Sequence, residues 1–574
     1  MQTNRMKRLG VGLAVCAAVA VSSWPIKASH AQYDFHLTVD GTTYSCDYAG
    51  LSAAIDAVNE VWNGVITLNC PGQNIYFPAN GAKTIRGGFV LDGLDANSAR
   101  LDVAGGVDTQ FFIIEPSASV IFRNITMQHA EHNGHGGAIL VKDQGQLALE
   151  SSVIAWCRST GGAAGGGGAI SMEGGGWLTL RGSELFGNTA FGSYGGAIEG
   201  QSAASNIVVD NSQINQNMTD TNGGGIFTRG SLYVTASTFD GNSAPWGAAI
   251  YGQKSGPGSL TNGVIENSVF QHNRAIAELG IVGWYSYSPS EPVSLTVTHS
   301  EFSNNYSKDA IVAVDTNLVV DASVFDAGGG IHTLSINTPI PQTTIIKNSV
   351  ISGALEALWL QNTFTVTNVS IMNNQRGLIA GEGYRAYSGW AWGGAGTGYV
   401  ENVTIDQSVE EDIKNSCFNL KIVNSTITHP STTLGSFGNK PVAVWDRESR
   451  CAVPHILLKN TVIDAAIGVK ACWFNASPST PNDIKAEYTR ASDNTCFRKP
   501  FPKLKPLMLG PLQDNGGPRV GAPGRERPLL TRLPLPGSVL IDGGGTCSPF
   551  DERGFSRDPV SCDIGAVEVG ATAP

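Results

Sequence analysis

The sequence predicts an all-β protein: a right-handed parallel β-helix, or solenoid, of about 13 coils with an N-terminal capping helix and a small C-terminal disulfide-containing domain. Three observations predict it. A short phrase of alternating apolar residues recurs along the chain, a glycine-rich phrase follows its early copies, and the composition suits neither a disordered chain nor collagen. Of 574 residues 70 are Gly, only 15% are charged and 41% are hydrophobic. Glycine at that level without a three-residue period must punctuate a packed fold.

The first phrase reads "IFRNITM", "VDNSQIN", "IENSVFQ", "IIKNSVI" and "LLKNTVI", with equivalent positions at Asn124, Ser151, Asn211, Asn267, Asn348, Asn402 and Asn460 among others. The period is roughly 28 residues, and each run is too short for a helix, rich in Val, Ile, Thr and Phe, and bounded by Gly, Asn and Ser. These runs are strands. The second phrase, "GGAIL" at Gly136, "GGAIS" at Gly167, "GGAIE" at Gly195, "GGGIF" at Gly223 and "GAAIY" at Gly247, supplies another strand per unit. A unit this small buries its apolar face only by stacking on its neighbours.

Ile154, Leu185, Ile214, Phe239, Phe270, Phe302, Phe325 and Ile351 should then form one inward stripe. Beyond each first anchor runs a row of Asn188, Asn217, Asn242, Asn273, Asn305 and Asn374, which reads as an asparagine ladder at a coil corner. There an amide side chain tolerates left-handed backbone and bonds to neighbouring coils. Cys157 occupies the same row, so it should face inward as an inert free thiol. A solenoid needs a cap, and "DYAGLSAAIDAVNEV" from Asp47 to Val61 sets Leu51, Ala54, Ile55 and Val58 on one helical face.

Residues 1–31 have the form of a signal peptide: Arg5, Lys7 and Arg8, an apolar run from Leu9 to Val21, then Ser29-His30-Ala31. The remaining chain divides into the cap and first coils (32–115), the β-helix repeats (116–480), a Pro-rich linker (481–510) and the C-terminal domain (511–574). No later window is apolar enough for a membrane helix. A net charge of −11 without a basic block excludes a phosphate-dominated partner, so no nucleic acid is expected. Of the 10 cysteines, Cys16 lies in the leader. Export favours disulfides, with Cys46 beside Cys70 and Cys547 beside Cys562, while Cys417, Cys451, Cys472 and Cys496 allow three pairings.

Several stretches resemble known families. Cys46, Leu51, Ala54, Ile55, Ala57, Ile66 and Leu68 resemble the N-terminal element of exported bacterial β-helix proteins. The Gly-Gly-Ala-Ile phrases with "FDGN", "FQHN" and "FSNN" resemble repeats of the polymorphic outer-membrane protein family. The tail resembles the choice-of-anchor Q domain of bacterial right-handed parallel β-helix proteins. Its matching residues are Gln513 to Gly517, Pro536, Gly537, Ser538, Ile541, Asp542, Gly543, Asp551, Arg553, Gly554, Cys562 to Ala566 and Glu568, with Glu552 in place of the family's Gln. These resemblances imply a pectin-lyase-like fold and an exported, secreted or cell-surface location.

Chemistry is harder to place. A polysaccharide lyase on such a scaffold needs a basic residue and acidic calcium ligands. Glu131, Arg158, Arg274, Lys308 and Asp309 are expected on one side of the rod, with Arg274 and Lys308 on adjacent coils as candidate bases. No run of Asp accompanies them, so no cofactor is expected beyond calcium for a lyase. A hydrolase needs two carboxylates across one bond. Glu410 and Glu411 should face opposite ways on a strand, and Asp412 falls in a polar run that reads as a solvated turn. His129, His132 and His135 are candidate metal ligands, with a polar turn as the plainer account. The aromatic insertion carrying Tyr384, Arg385, Tyr387, Trp390 and Trp392, and the segment with Trp284, Tyr285 and Tyr287, read as loops that either hold a ligand or fold back to cover the rod's flank. The expectation is a non-catalytic, adhesin-like protein binding a glycan or a cell-surface protein, with the lyase or hydrolase and a structural spacer as alternatives and the oligomeric state open.

Overall fold

A computed structural model describes residues 36–573 apart from 40, 95–99, 104, 255–261, 288–292, 336–340, 382–384, 387–388, 391–395, 417, 430–441, 447–454, 475–483 and 498–503. The leader lies outside these residues. Helix Tyr48–Val61 begins at Asp47, whose side chain accepts the Gly50 N–H, and it buries Leu51, Ala54, Ile55 and Val58 over the first coil. The Cys46–Cys70 disulfide pins the cap to that coil.

From there the chain winds as a parallel β-helix, right-handed as parallel crossovers are. A representative coil runs Ser119–Arg123, Thr126–Gln128, Glu131–His132 and Ile139–Val141. The first two strands of this coil join one large sheet and the fourth a 15-stranded sheet, while the third belongs to a six-stranded sheet formed by six successive coils only. The 15-stranded sheet exceeds the coil number read from the repeat, because Lys83–Ile85 and Phe112–Ile114 add rungs before the first phrase. At the other end Ile484–Glu487 and Arg490–Ala491 still pair with the coil before them, so the rod extends past residue 480.

The first anchor of the repeat is a corner. Asn124, Ser151, Asn211, Ala236, Asn267, His299, Asn348, Asn402 and Asn460 all carry φ between 46° and 55°, the left-handed region that Asn occupies most readily. The asparagine ladder is real, but the left-handed residue sits one position before it, at Gly187, Gln216, Gly241, His272, Asn304 and Asn373. Each ladder asparagine is itself buried. Asn188 donates to Asn217, Asn217 to Asn242, Asn242 to Asn273 and Asn273 to Asn305, at 3.0 to 3.1 Å. Cys157 occupies the row as expected, its N–H bonded to Asn188 Oδ1 at 2.9 Å, and burial pushes its thiol pKa up to about 12. Beside this row runs a second ladder the sequence reading missed, Ser152, Ser183, Ser212, Ser237, Ser268, Ser300, Ser323 and Ser349, each hydroxyl accepting a backbone N–H from the coil before.

The inward stripe is buried throughout, and Phe239, Phe270, Phe302 and Phe325 stack at 4.6 to 4.9 Å. In the glycine phrase the first Gly is left-handed, with φ 69° at Gly136 and 62° at Gly167. The second has no room, since a Cβ on Gly137 would lie 2.1 Å from the Gly168 carbonyl.

Beyond the coils, the C-terminal segment lies along the outer face of the large sheet. Val520 and Leu529 pack on Val324, Val350 and Met372, and Leu540 and Ile564 pack on Val462. Arg525 holds Glu301 at 2.7 Å, Arg527 holds Asp326 at 2.5 Å, and Arg532 holds Asp406. Glu552, buried between tail and rod, contacts Ser370 at 2.9 Å and Thr404. The Cys547–Cys562 disulfide is present, and Cys472–Cys496 selects one of the three pairings. Cys417 and Cys451 lie outside the described residues.

Candidate functional site

A lateral groove of about 780 Å³ opens on the early coils, lined by Val103, Gly105, Gly106, His129, Glu131, Trp156, Arg158, Gly187 and Thr189. Its chemistry comes from one corner of successive coils. His129 (φ 63°), Trp156 (φ 54°) and Gly187 (φ 64°) occupy the same left-handed position. A bulky aromatic side chain in that region is unusual and strained.

Trp156 lies nearly parallel to His129, with ring centroids 5.6 Å apart, and edge-on to Phe186 at 5.4 Å. A Cβ on Gly187 would stand 2.8 Å from the Trp156 ring, so the glycine makes the bed on which the indole lies. The ring is 49% exposed. His129 Nδ1 lies 2.9 Å from the nearly buried carboxylate of Asp102, which is itself fixed by Gln128 at 2.7 Å and the Val103 N–H at 2.8 Å. Across the groove Glu131 and Arg158 approach to 3.8 Å, and the Arg158 guanidinium stands 5.2 Å above the ring of Phe191. The site combines an apolar ring with donors and acceptors of both charges.

The three histidines do not converge. His129 binds Asp102, His132 binds Asp108 at 2.9 Å, and His135 bonds Gln201 at 2.7 Å and approaches Glu199 at 3.6 Å. Asp102 and Asp108 come from the coil before, Glu199 and Gln201 from a coil two rungs on. The neighbouring Glu199 carboxylate raises the His135 pKa. Among the described residues no group of three or more His, Cys, Asp or Glu is arranged to hold a metal ion.

The expected shared side holds for three residues. Glu131, Arg158 and Arg274 lie on one register column of the six-stranded sheet, through Thr189, Met218 and Ser243. Lys308 and Asp309 leave it, because the chain turns into the 15-stranded sheet at Asp309–Val314. There Lys308 bonds Glu356 at 2.8 Å and covers Trp359 at 4.9 Å, so it is a paired cation and no free base. Arg376 bridges Glu356 at 2.9 Å and Glu410 at 2.6 Å, with Glu411 at 3.5 Å. Glu410 and Glu411 thus converge on one guanidinium, against the strand-alternation expectation, because Glu410 precedes strand Glu411–Asn415.

Asp412 is also corrected. It is fully buried in that strand, bonded to His429 at 2.9 Å, and burial raises its pKa.

Trp284 and Tyr285 do not form a ligand-holding loop. They lie in strand Val282–Ser286, and Trp284 is fully buried. Its indole fills the space left by Gly252 and Gly263, where a Cβ would meet it at 2.4 and 2.7 Å. Tyr285 stacks on Tyr251 at 4.9 Å. In the other insertion, Arg385–Ala386 and Gly389–Trp390 pair as an antiparallel hairpin, and Tyr384, Tyr387 and Trp392 lie outside the described residues. The groove around Trp156 was not singled out from sequence. Its only signal there is a large ring at a corner where other coils place Gly, Ala, Asn, Gln or His.

No family model matches the sequence, and no curated protein does. Among solved structures, the chain is similar to a tailspike protein of E. coli bacteriophage HK620, at 11% identity over 79% of each chain with a TM-score of 0.33. It is similar to a pectate lyase at 11% identity, covering 85% of this chain and 98% of the lyase with a TM-score of 0.28. It is also similar to the A-module of a mannuronan C-5 epimerase from Azotobacter vinelandii, at 12% identity over 78% of this chain and 95% of the module, TM-score 0.26. The assignment as a parallel β-helix rests on the strand pairings themselves.

Proposed function

We propose that the protein is an exported, non-catalytic β-helix that binds a glycan in the lateral groove, with Trp156 as the face on which a sugar ring stacks. The observation that carries this reading is a half-exposed indole held flat by His129 over Gly187, at a corner where a large ring is strained. Sugar rings pack their C–H faces on aromatic rings, and Glu131, Arg158 and His129 supply hydroxyl partners beside it. Export is supported by the leader pattern and by three disulfides among the described residues. The insertion with Trp390 and Trp392 belongs to the same proposal as a separate contact.

The test is titration of the purified protein with neutral and acidic polysaccharides, followed by tryptophan fluorescence and calorimetry. Trp156→Ala should weaken binding about tenfold, the scale of one aromatic contact. Unchanged affinity in that variant removes the groove from the reading.

One observation favours a second reading as a lyase or hydrolase: the convergence of Glu356, Glu410 and Glu411 on Arg376. Release of unsaturated or reducing ends that Glu410→Gln abolishes would establish it and overturn the non-catalytic one.

A further inference from the structure

The groove does not end at Arg158. The register column that holds Glu131 and Arg158 continues through Thr189, Met218 and Ser243 to Arg274, which bridges to Tyr306 on the next coil. Side chains two apart on a strand share a face, so Phe191 stands beside Thr189 and Ile276 beside Arg274. Much of this outer strip is apolar and open: Phe191 is 36%, Met218 44%, Ile276 58% and Tyr306 76% exposed. An apolar band of this kind on an otherwise polar flank marks a binding surface.

Its cations stand at the two ends, and between them the exposed carboxylate of Asp220, two residues on from Met218, accepts the Gly192 N–H at 2.7 Å. Arg158 makes only the loose contact with Glu131 and the ring contact with Phe191, and Arg274 forms no ion pair among the described residues. Four rungs separate the two arginines, about 19 Å at the ~4.8 Å spacing of parallel strands. One residue of an extended glycan is about as long as one rung, so a chain lying parallel to the rod axis meets both guanidiniums several sugars apart.

We infer that the strip from Trp156 to Tyr306 is an extended track for an anionic glycan, in which Arg158 and Arg274 each take an acidic group while Met218, Ile276 and the aromatic rings pack on the sugars between. This rests on the groove being a glycan site and adds the class of glycan and its path. Guanidinium forks pair with carboxylate or sulfate oxygens in two-pronged fashion, and Arg274 has no ion pair with a carboxylate among the described residues.

The experiment measures affinities of the full protein and of Arg274→Gln for oligouronates of graded length, sulfated dextran, a neutral glucan and single-stranded DNA. Affinity for the acidic chains is expected to step up once they are long enough to reach Arg274. Arg274→Gln should lower affinity for the long acidic chains about tenfold, reduce its dependence on salt, and leave short oligouronates and the neutral glucan as in the wild type. Comparison of oligouronate with sulfated dextran tells which acidic group is preferred, and preference for either supports the track. If the neutral glucan binds as well as the acidic chains and Trp156→Ala abolishes both, the groove stands and this inference falls. Equal loss at all lengths, no effect of Arg274→Gln, or DNA binding as tightly as the oligouronate also overturns it, and no binding of any glycan sinks both readings. Arg274→Lys, which keeps the charge without the fork, should recover part of the loss.

Discussion

Asn242 stands at the middle of the ladder that holds the coils in register, and its removal has a calculable effect. Its Nδ2 donates to Asn273 Oδ1 at 3.0 Å and to the Ile214 carbonyl at 2.7 Å. Its Oδ1 accepts the Asn217 N–H and the Asn217 Nδ2, both at 3.0 Å. In Asn242→Ala the Asn217 side chain still reaches the Leu185 carbonyl at 2.9 Å, but the buried Asn217 N–H loses its acceptor and the Ile214 carbonyl loses this donor. One stranded buried donor costs about 1–3 kcal/mol and each of the three further lost bonds about 1 kcal/mol, so the variant should be about 4–6 kcal/mol less stable. Urea denaturation followed by circular dichroism measures the total, and hydrogen exchange at the Asn217 amide reads the local cause. A loss under about 1 kcal/mol, or an Asn217 amide protected as in the wild type, would refute the view that this ladder is a principal register device.

Cys157 offers the converse. Cys157→Asn should extend the ladder by one coil and raise the unfolding midpoint, because the site already supplies its N–H to Asn188; a lower midpoint counts against it. Gly187→Ala places a methyl 2.8 Å from the Trp156 ring and forces a side chain into a left-handed site, so it should cost about 1 kcal/mol and shift the Trp156 fluorescence. Glu552 has its pKa raised well above the ordinary range by burial. The folded protein therefore keeps this proton where the unfolded chain has lost it, and stability should fall as pH rises from near 4.5 through the raised value. Glu552→Gln should remove that part of the pH dependence, as read from midpoints across pH. Asp412→Ala should cost about 1–3 kcal/mol by stranding the buried His429, whereas pairing it with His429→Leu should cost less than the sum of the single changes. Additive losses in that cycle would show the pair is not coupled.

The sequence was legible wherever a physical constraint repeats. The corner residues, the inward stripe, the glycine phrase and the amide row recur because each coil meets the same demands as the last, and their period alone specifies stacked strands. The capping helix and the Cys46–Cys70 and Cys547–Cys562 pairs were legible for a local reason, since their partners lie close in the chain. Trp284 was misread because its burial depends on glycines in preceding segments, Gly252 and Gly263, and an aromatic residue next to Tyr and Ser looks the same in a loop as in a core strand. Glu410 and Glu411 were misread because a one-residue difference in where a strand begins decides whether neighbours diverge or converge.

The amino-acid order by itself determined the coil, the corner and the in-or-out sense of most side chains, because those follow from backbone conformation and alternation within a few residues. Only the tertiary structure decided which coils lie side by side at a given height, and so which side chains from distant segments meet. Asp102 orienting His129, Gly187 bedding Trp156 and Arg376 gathering three carboxylates are meetings one coil apart, whereas the tail's arginines reach Glu301, Asp326 and Asp406 across distances along the chain that carry no signal. Coil lengths vary with every insertion, so register across the rod is set by the packing of the coils and is absent from any local pattern.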